Sequence, residues 1–114
     1  MKTRTETIKS LKSKRPISCL TSYDALTAKI FDESGIDLIL VGDSASNTVL
    51  GKNSTLPATL EEMIIFGTAV ASSVQSSLVV IDIAYGSYEL SREQALENSI
   101  QVMKETGADA VKLE

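Results

Sequence analysis

The sequence contains no histidine and a single cysteine, Cys19. Without histidine there is no imidazole base, no imidazole metal ligand and no Ser-His or Cys-His pair. One cysteine excludes an intrachain disulfide, and a reducing compartment suits it. No apolar run approaches the roughly 20 residues of a membrane span. The first 16 residues, Met1 to Pro16, are polar and Lys-rich, with only Ile8 and Leu11 apolar inside. They lack a signal-peptide core, so a cytoplasmic location is expected. A basic excess is missing too. Lys and Arg number 11 against 15 Asp and Glu, a net charge of −4. That balance argues against nucleic acid or an anionic membrane as partner, and leaves room for an anionic substrate held by one or two local cations.

What the chain does have is an ordinary apolar content, 43% over 114 residues, enough for one domain with a modest core. No low-complexity segment or linker interrupts it. Three apolar runs each end in an acid. Leu38-Ile39-Leu40-Val41 leads through Gly42 to Asp43 and Ser44, Leu78-Val79-Val80-Ile81 leads to Asp82, and Ala110-Val111-Lys112-Leu113 leads to Glu114. Acids at the carboxyl ends of buried-looking strands suit a parallel α/β architecture, whose sites gather there.

The intervening pattern completes that architecture. A short helix is expected over 5–13, closed by Pro16, and a first strand over Ile17 to Thr21. A helix over 24–34 has Ala25, Leu26, Ile30 and Phe31 at helical spacing, with Gly35 as its C′ residue. The near-continuous apolarity of Ile36 to Val41 predicts a strand covered on both faces. Residues 44–58 read as a long ordered loop. Thr59-Leu60-Glu61-Glu62 is a capping box opening a helix to about Val74, in which Gly67 marks close packing. A strand follows over Leu78 to Ile83. Ser91-Arg92-Glu93-Gln94 is a second capping box, and Ala95, Leu96, Ser99, Ile100 and Met103 form one face of a helix ending at Gly107. The last strand runs from Ala110 to Leu113. Gly35-Ile36-Asp37 and Gly107-Ala108-Asp109 form an internal echo, each leading from helix to strand. The order is (α)βαβαβαβ, with right-handed crossovers.

Neighbouring strands lie roughly 4.8 Å apart, so Asp43, Asp82 and Glu114 are candidates to share one hard divalent cation. Carboxylates without His or Cys point to Mg²⁺ rather than Zn²⁺. Such an ion would suit a chelating 2-keto acid, polarising its ketone. An acid after a strand is equally the signature of a helix N-cap or a loop hydrogen-bonder, and both readings stand for each residue taken singly. Lys112, two residues before Glu114, leaves the strand on the same face. It is either a partner for a substrate carboxylate or a snorkelling edge lysine. Ser44 either donates to that carboxylate or caps the following turn. Asp24 is expected as an N-cap and Cys19 as core; Tyr23, Tyr85 and Tyr88, just past strand ends, either line a pocket or pack, with packing the favoured role.

Five stretches then carry a resemblance. Thr21-Ser22-Tyr23-Asp24, Val41-Gly42-Asp43-Ser44, Asn53-Ser54-Thr55-Leu56-Pro57-Ala58-Thr59, Asp82 with Gly86-Ser87-Tyr88, and Gly107 through Glu114 together resemble the ketopantoate hydroxymethyltransferase family. The resemblance runs from about Ile17 to the last residue. It implies a (β/α)₈ TIM barrel, which takes about 250 residues. These 114 residues would be its first four strands, a half-barrel fragment and a single partial domain, preceded by a short N-terminal helix. It implies transfer of a hydroxymethyl group from 5,10-methylenetetrahydrofolate to 3-methyl-2-oxobutanoate, giving 2-dehydropantoate for pantothenate biosynthesis. It implies Mg²⁺ ringed by Asp43, Asp82 and Glu114, and a keto acid contacted by Asp43, Ser44, Asp82 and Lys112. The family's general base is a glutamate in the half of the barrel these residues do not include, so no catalytic residue is assigned here. The chain alone is expected to lack turnover, and the intact protein to form a homo-oligomer. The sequence departs from the family's pattern at Ala84-Tyr85, where Pro-Phe is usual, and at Ala45-Ser46-Asn47, where Leu-Gly-Met is usual. Two alternatives compete: a Mg²⁺-dependent enzyme of the phosphoenolpyruvate mutase or isocitrate lyase type, and a non-catalytic flavodoxin-like binding module.

Overall fold

The computed structural model describes residues 1–114. Four parallel strands, β1 (Cys19–Thr21), β2 (Leu38–Val41), β3 (Leu78–Asp82) and β4 (Ala110–Lys112), form one sheet in the order β1-β2-β3-β4. Helix α1 (Thr5–Ser10) precedes the sheet. The crossovers carry α2 (Ala25–Glu33), then α3 (Ala45–Thr48) and α4 (Leu60–Ala71), then α5 (Arg92–Thr106). A sequential strand order with crossovers of one hand puts every crossover helix on the same side of the sheet. Ile39, Val41, Val79 and Ile81 accordingly form the buried face of the strands, packed in one core with Ala28, Met63, Val70 and Val102.

The other face, carrying Leu40, Val80 and Ala110, is only half-buried. The expectation that β2 is covered on both faces is therefore corrected: its burial alternates. Its apolarity on the open side is that of a barrel interior, which strands curl around rather than helices cover. Cys19 is corrected in the same way, being exposed in β1 rather than core. The apolar spacing of α2 and α5 located only part of their buried faces: Phe31 and Met103 pack against the core. Leu26 and Ile30 of α2, and Leu96 and Ile100 of α5, point outward. The residues that α2 and α5 bury are Ala28, and Val102 and Thr106, respectively.

The local signals act as their chemistry requires. Asp24 Oδ1 accepts the Thr27 N–H at 2.8 Å. Thr59 and Glu62 close a reciprocal box at 3.1 and 3.0 Å. Ser91 caps α5 through the Gln94 N–H, but the Gln94 side chain turns away to the Leu90 N–H and the Gly86 carbonyl, so the second box is half-formed. Gly107 ends α5 at φ 75°, where a side chain would be strained. A Cβ at Gly67 would run into Ile81 Cδ1 and sit 3.2 Å from Thr106 Cγ2, so the glycine lets α4 close onto β3 and α5. The stretch 44–58, expected to be all loop, contains the single turn of α3.

Acids also tie down the N-terminal ends of the strands. Asp32, in the last turn of α2, accepts the N–H groups of Gln75, Ser76 and Ser77 at 2.7–3.0 Å. Asp37 takes a two-pronged Arg15 at 2.7 and 2.9 Å and the Ser18 N–H at 2.9 Å. Asp109 takes the Val79 N–H at 2.8 Å and Lys2 Nζ at 2.9 Å. The sequence echo around Asp37 and Asp109 is thus a repeated device: helix exit, acid, and a strap to the preceding strand.

Candidate functional site

The site is built at the opposite pole, where β2, β3 and β4 end. Residue 42 is glycine for a reason visible there. A Cβ on Gly42 would lie 3.0 Å from Ser44 Oγ and 3.6 Å from Asp82 Oδ2. Without it Ser44 Oγ keeps its place, and the 3.6 Å to Asp82 is an ordinary contact distance. The main-chain N–H of Asp43 donates to Asp82 Oδ2 at 2.9 Å. Asp82, only 6% exposed, therefore works first as an acceptor that fixes its neighbour. Its second oxygen accepts from Lys112 Nζ at 3.1 Å. Parallel register sets Asp82 opposite Lys112, and Lys112 reaches on to Glu114 at 3.2 Å.

The charges are unevenly answered. Burial works against the Lys112 ammonium, but its bonds to Asp82 and Glu114 and their attraction outweigh that, and its pKa lies above the ordinary lysine value. Asp43 has no such partner. Burial, then the charges of Asp82 and Glu114, push its pKa up, with only partial relief from Lys112. A carboxylate in that position has a shortfall of positive charge around it.

Asp43, Asp82 and Glu114 line one cavity of about 300 Å³. Thr55 and Leu56, from the Ser-Thr-Leu-Pro stretch, and Tyr85 and Tyr88, past β3, complete much of its wall. Of the three tyrosines weighed as packing or pocket residues, two face the cavity. Tyr23 does not, and its Oη lies 2.6 Å from Ser44 Oγ. Lys112 and Ser44 belong to the same strand ends but are not on the cavity wall. Nor do three acids gather closely enough around one point to hold an ion. Asp43 and Asp82 supply an all-oxygen pair, which suits Mg²⁺ because that ion takes one or two carboxylates and fills its shell with water and substrate. Glu114 stands apart, with its side chain 74% exposed and paired to Lys112.

One wall residue was not legible beforehand. Glu89 accepts the N–H of Gly86 at 2.7 Å and of Tyr88 at 3.2 Å, closing the turn that aims Tyr88. Tyr88 Oη in turn accepts the Glu114 N–H at 3.1 Å. An acid three residues after a glycine was the available signal, and it marks a turn rather than a site.

Comparison with known proteins adds three findings. The family model described as ketopantoate hydroxymethyltransferase matches residues 2–114. The 3-methyl-2-oxobutanoate hydroxymethyltransferase of Corynebacterium efficiens is 57% identical over 98 residues, covering 86% of this chain and 36% of that protein. The enzyme of the same name from Leifsonia xyli subsp. xyli is 58% identical over 95 residues, 83% of this chain and 34% of its own. The chain therefore spans about a third of the length of the curated relatives it matches. Among solved structures, 2,3-dimethylmalate lyase, a PEP mutase/isocitrate lyase superfamily member, superposes with a TM-score of 0.69 at 17% identity, over 97% of this chain and 39% of that one. Phosphoenolpyruvate phosphomutase from Streptomyces platensis subsp. rosaceus gives 0.72 at 16% identity, over 96% and 37%. At such identity these neighbours speak for the fold alone: the four strands are laid out as part of a TIM barrel.

Proposed function

Because the chain belongs to the ketopantoate hydroxymethyltransferase family, we propose that its strand ends form the keto-acid side of a hydroxymethyl transfer. The donor is 5,10-methylenetetrahydrofolate, the acceptor 3-methyl-2-oxobutanoate and the product 2-dehydropantoate. The observation that carries this reading is the pair Asp43 and Asp82, joined through one N–H and open to a small cavity, with a lysine at hydrogen-bond distance behind one of them. A volume of about 300 Å³ is at the small end of ligand pockets and suits a compact acid.

Asp43 and Asp82 are the residues that would hold Mg²⁺, with Glu114, on the same cavity wall and paired to Lys112, as the third candidate. A bound Mg²⁺ would polarise the keto group and make the neighbouring C–H more acidic. Lys112 and Ser44, set just off the cavity wall beside Asp82 and Asp43, are assigned to orient the acid by its carboxylate. Leu56 and Tyr85 offer apolar surface to the isopropyl group. We assign the proton-abstracting base to no residue of this chain, so the expected behaviour is binding without turnover. The low-identity lyase and mutase neighbours do not favour a second reading, and the family match leaves nothing for a flavodoxin-like module to explain.

Calorimetry tests this directly. The 114-residue chain should bind 3-methyl-2-oxobutanoate only with Mg²⁺ present, and phosphonopyruvate should not compete. Asp43→Asn and Asp82→Asn should each weaken binding by roughly tenfold or more. Binding that is indifferent to Mg²⁺, or unchanged in both variants, would sink the proposal.

A further inference from the structure

Ser44 is at the N-cap of α3, where a serine hydroxyl ordinarily accepts a backbone N–H. Here it caps nothing. Its Oγ lies 2.6 Å from Tyr23 Oη, which comes from the loop after β1 and makes no other hydrogen bond within the protein. Gly42, lacking a side chain, leaves open the space a Cβ would take, 3.0 Å from Ser44 Oγ and 3.6 Å from Asp82 Oδ2. A serine withdrawn from capping, tied instead to a phenol and set next to Asp43 and near Asp82, is poised to hydrogen-bond something else.

Each hydroxyl has one proton, so the pair has two arrangements. If Ser44 donates to Tyr23, it has no proton for a ligand. If Tyr23 donates to Ser44, the serine proton is free. The phenol is the stronger acid and hence the better donor, and a chain of two hydroxyls ending on an anion is cooperatively strengthened. We propose that Tyr23 is a positioning residue: its Oη donates to Ser44 Oγ and so commits Ser44 to donate to a carboxylate oxygen of the bound keto acid. This rests on the keto-acid reading above and adds to it a residue that never touches substrate.

Tyr23→Phe keeps the ring and removes only the hydroxyl. With Mg²⁺ present, the variant should bind 3-methyl-2-oxobutanoate roughly three- to tenfold more weakly than the wild type. Ser44→Ala should lose a similar factor, and the double variant no more than Ser44→Ala alone. The ketone 3-methyl-2-butanone, which lacks the carboxylate, should bind wild type and Y23F equally. Undiminished keto-acid affinity in Y23F, additive losses, or equal losses for acid and ketone would each overturn the proposal. A ligand-free measurement separates it from the function itself. Proton couplings of Ser44 should report one side-chain rotamer in the wild type and averaging in Y23F. A single rotamer in both overturns the relay, whereas a wild type that binds no keto acid but shows this difference counts only against the assigned ligand.

Discussion

The two ends of the sheet answer the charge of their acids to different degrees. At the N-terminal ends of the strands, Asp32, Asp37 and Asp109 each gather N–H groups or a cation from a segment distant in sequence. At the C-terminal ends, Asp43 and Asp82 face one cavity, and a single lysine serves Asp82 and Glu114 together. The consequence shows in the proton affinities. Hydrogen bonds from the Gln75–Ser77 turn overcome the effect of burial and hold Asp32 below the usual carboxylate range, and Arg15 with Ser18 does the same for Asp37. Asp43 is displaced the other way. One pole uses all its acids to hold the chain together, whereas at the other Asp82 does so and Asp43 retains charge that the fold has not neutralised, the division expected between the stabilising and the functional faces of such barrels.

Removing an acid from the first pole should cost most. Asp32→Ala leaves three N–H groups of one turn to water alone, and should destabilise the chain by about 2–3 kcal/mol in urea unfolding. A loss too small to resolve would mean that solvent satisfies the turn as well as Asp32 does, and the contrast between the poles would fail.

Acid should have the next largest effect. The folded pKa values of Asp32 and Asp37 lie below their unfolded ones, so their stabilisation is fully present above the unfolded value of about 3.9 and is lost as pH falls through the folded values. The urea midpoint should therefore drop steadily below about pH 4. Asp37→Ala should flatten that limb, and an unchanged pH profile in this variant would remove Asp37 from the account.

The smallest effect should carry the opposite sign. A folded pKa raised above the unfolded one makes the ionised Asp43 a liability once pH exceeds it. Asp43→Asn should thus raise the midpoint at neutral pH without Mg²⁺, by on the order of a few tenths of a kcal/mol, since Asp43 is only partly buried and solvent moderates both its burial and the repulsion from Asp82 and Glu114. Added Mg²⁺ should stabilise the wild type and leave this variant unmoved. Destabilisation by Asp43→Asn would show that Asp43 holds structure after all.

The difference between the poles also decides what could be read beforehand. The upper acids follow apolar runs directly, so their shared location comes from strand pattern and parallel register alone. The lower clamps join residues far apart, Asp37 to Arg15 across 22 positions and Asp32 to Ser77 across 45, and no local pattern announces them. Cap residues such as Asp24 and Thr59 were legible because their bonds span three residues. The outward turn of Leu26, Ile30, Leu96 and Ile100 was not, because apolar spacing identifies a face without naming its neighbour. The turn of α3 escaped because Ala-Ser-Asn-Thr has little helical preference. The association of Ser44 with Tyr23 escaped because a serine after a strand looks like a cap.

The N–H of Asp43 resting on the side chain of Asp82 bears on how variation here should be interpreted. Positions 43 and 82 are separate letters in a gene but a single mechanical part. A change at 82 also releases the backbone that aims residue 43, so the effects of altering both should not multiply. The dependence runs one way: a change at 43 leaves its N–H on Asp82, so position 82 keeps its structural task whatever stands at 43.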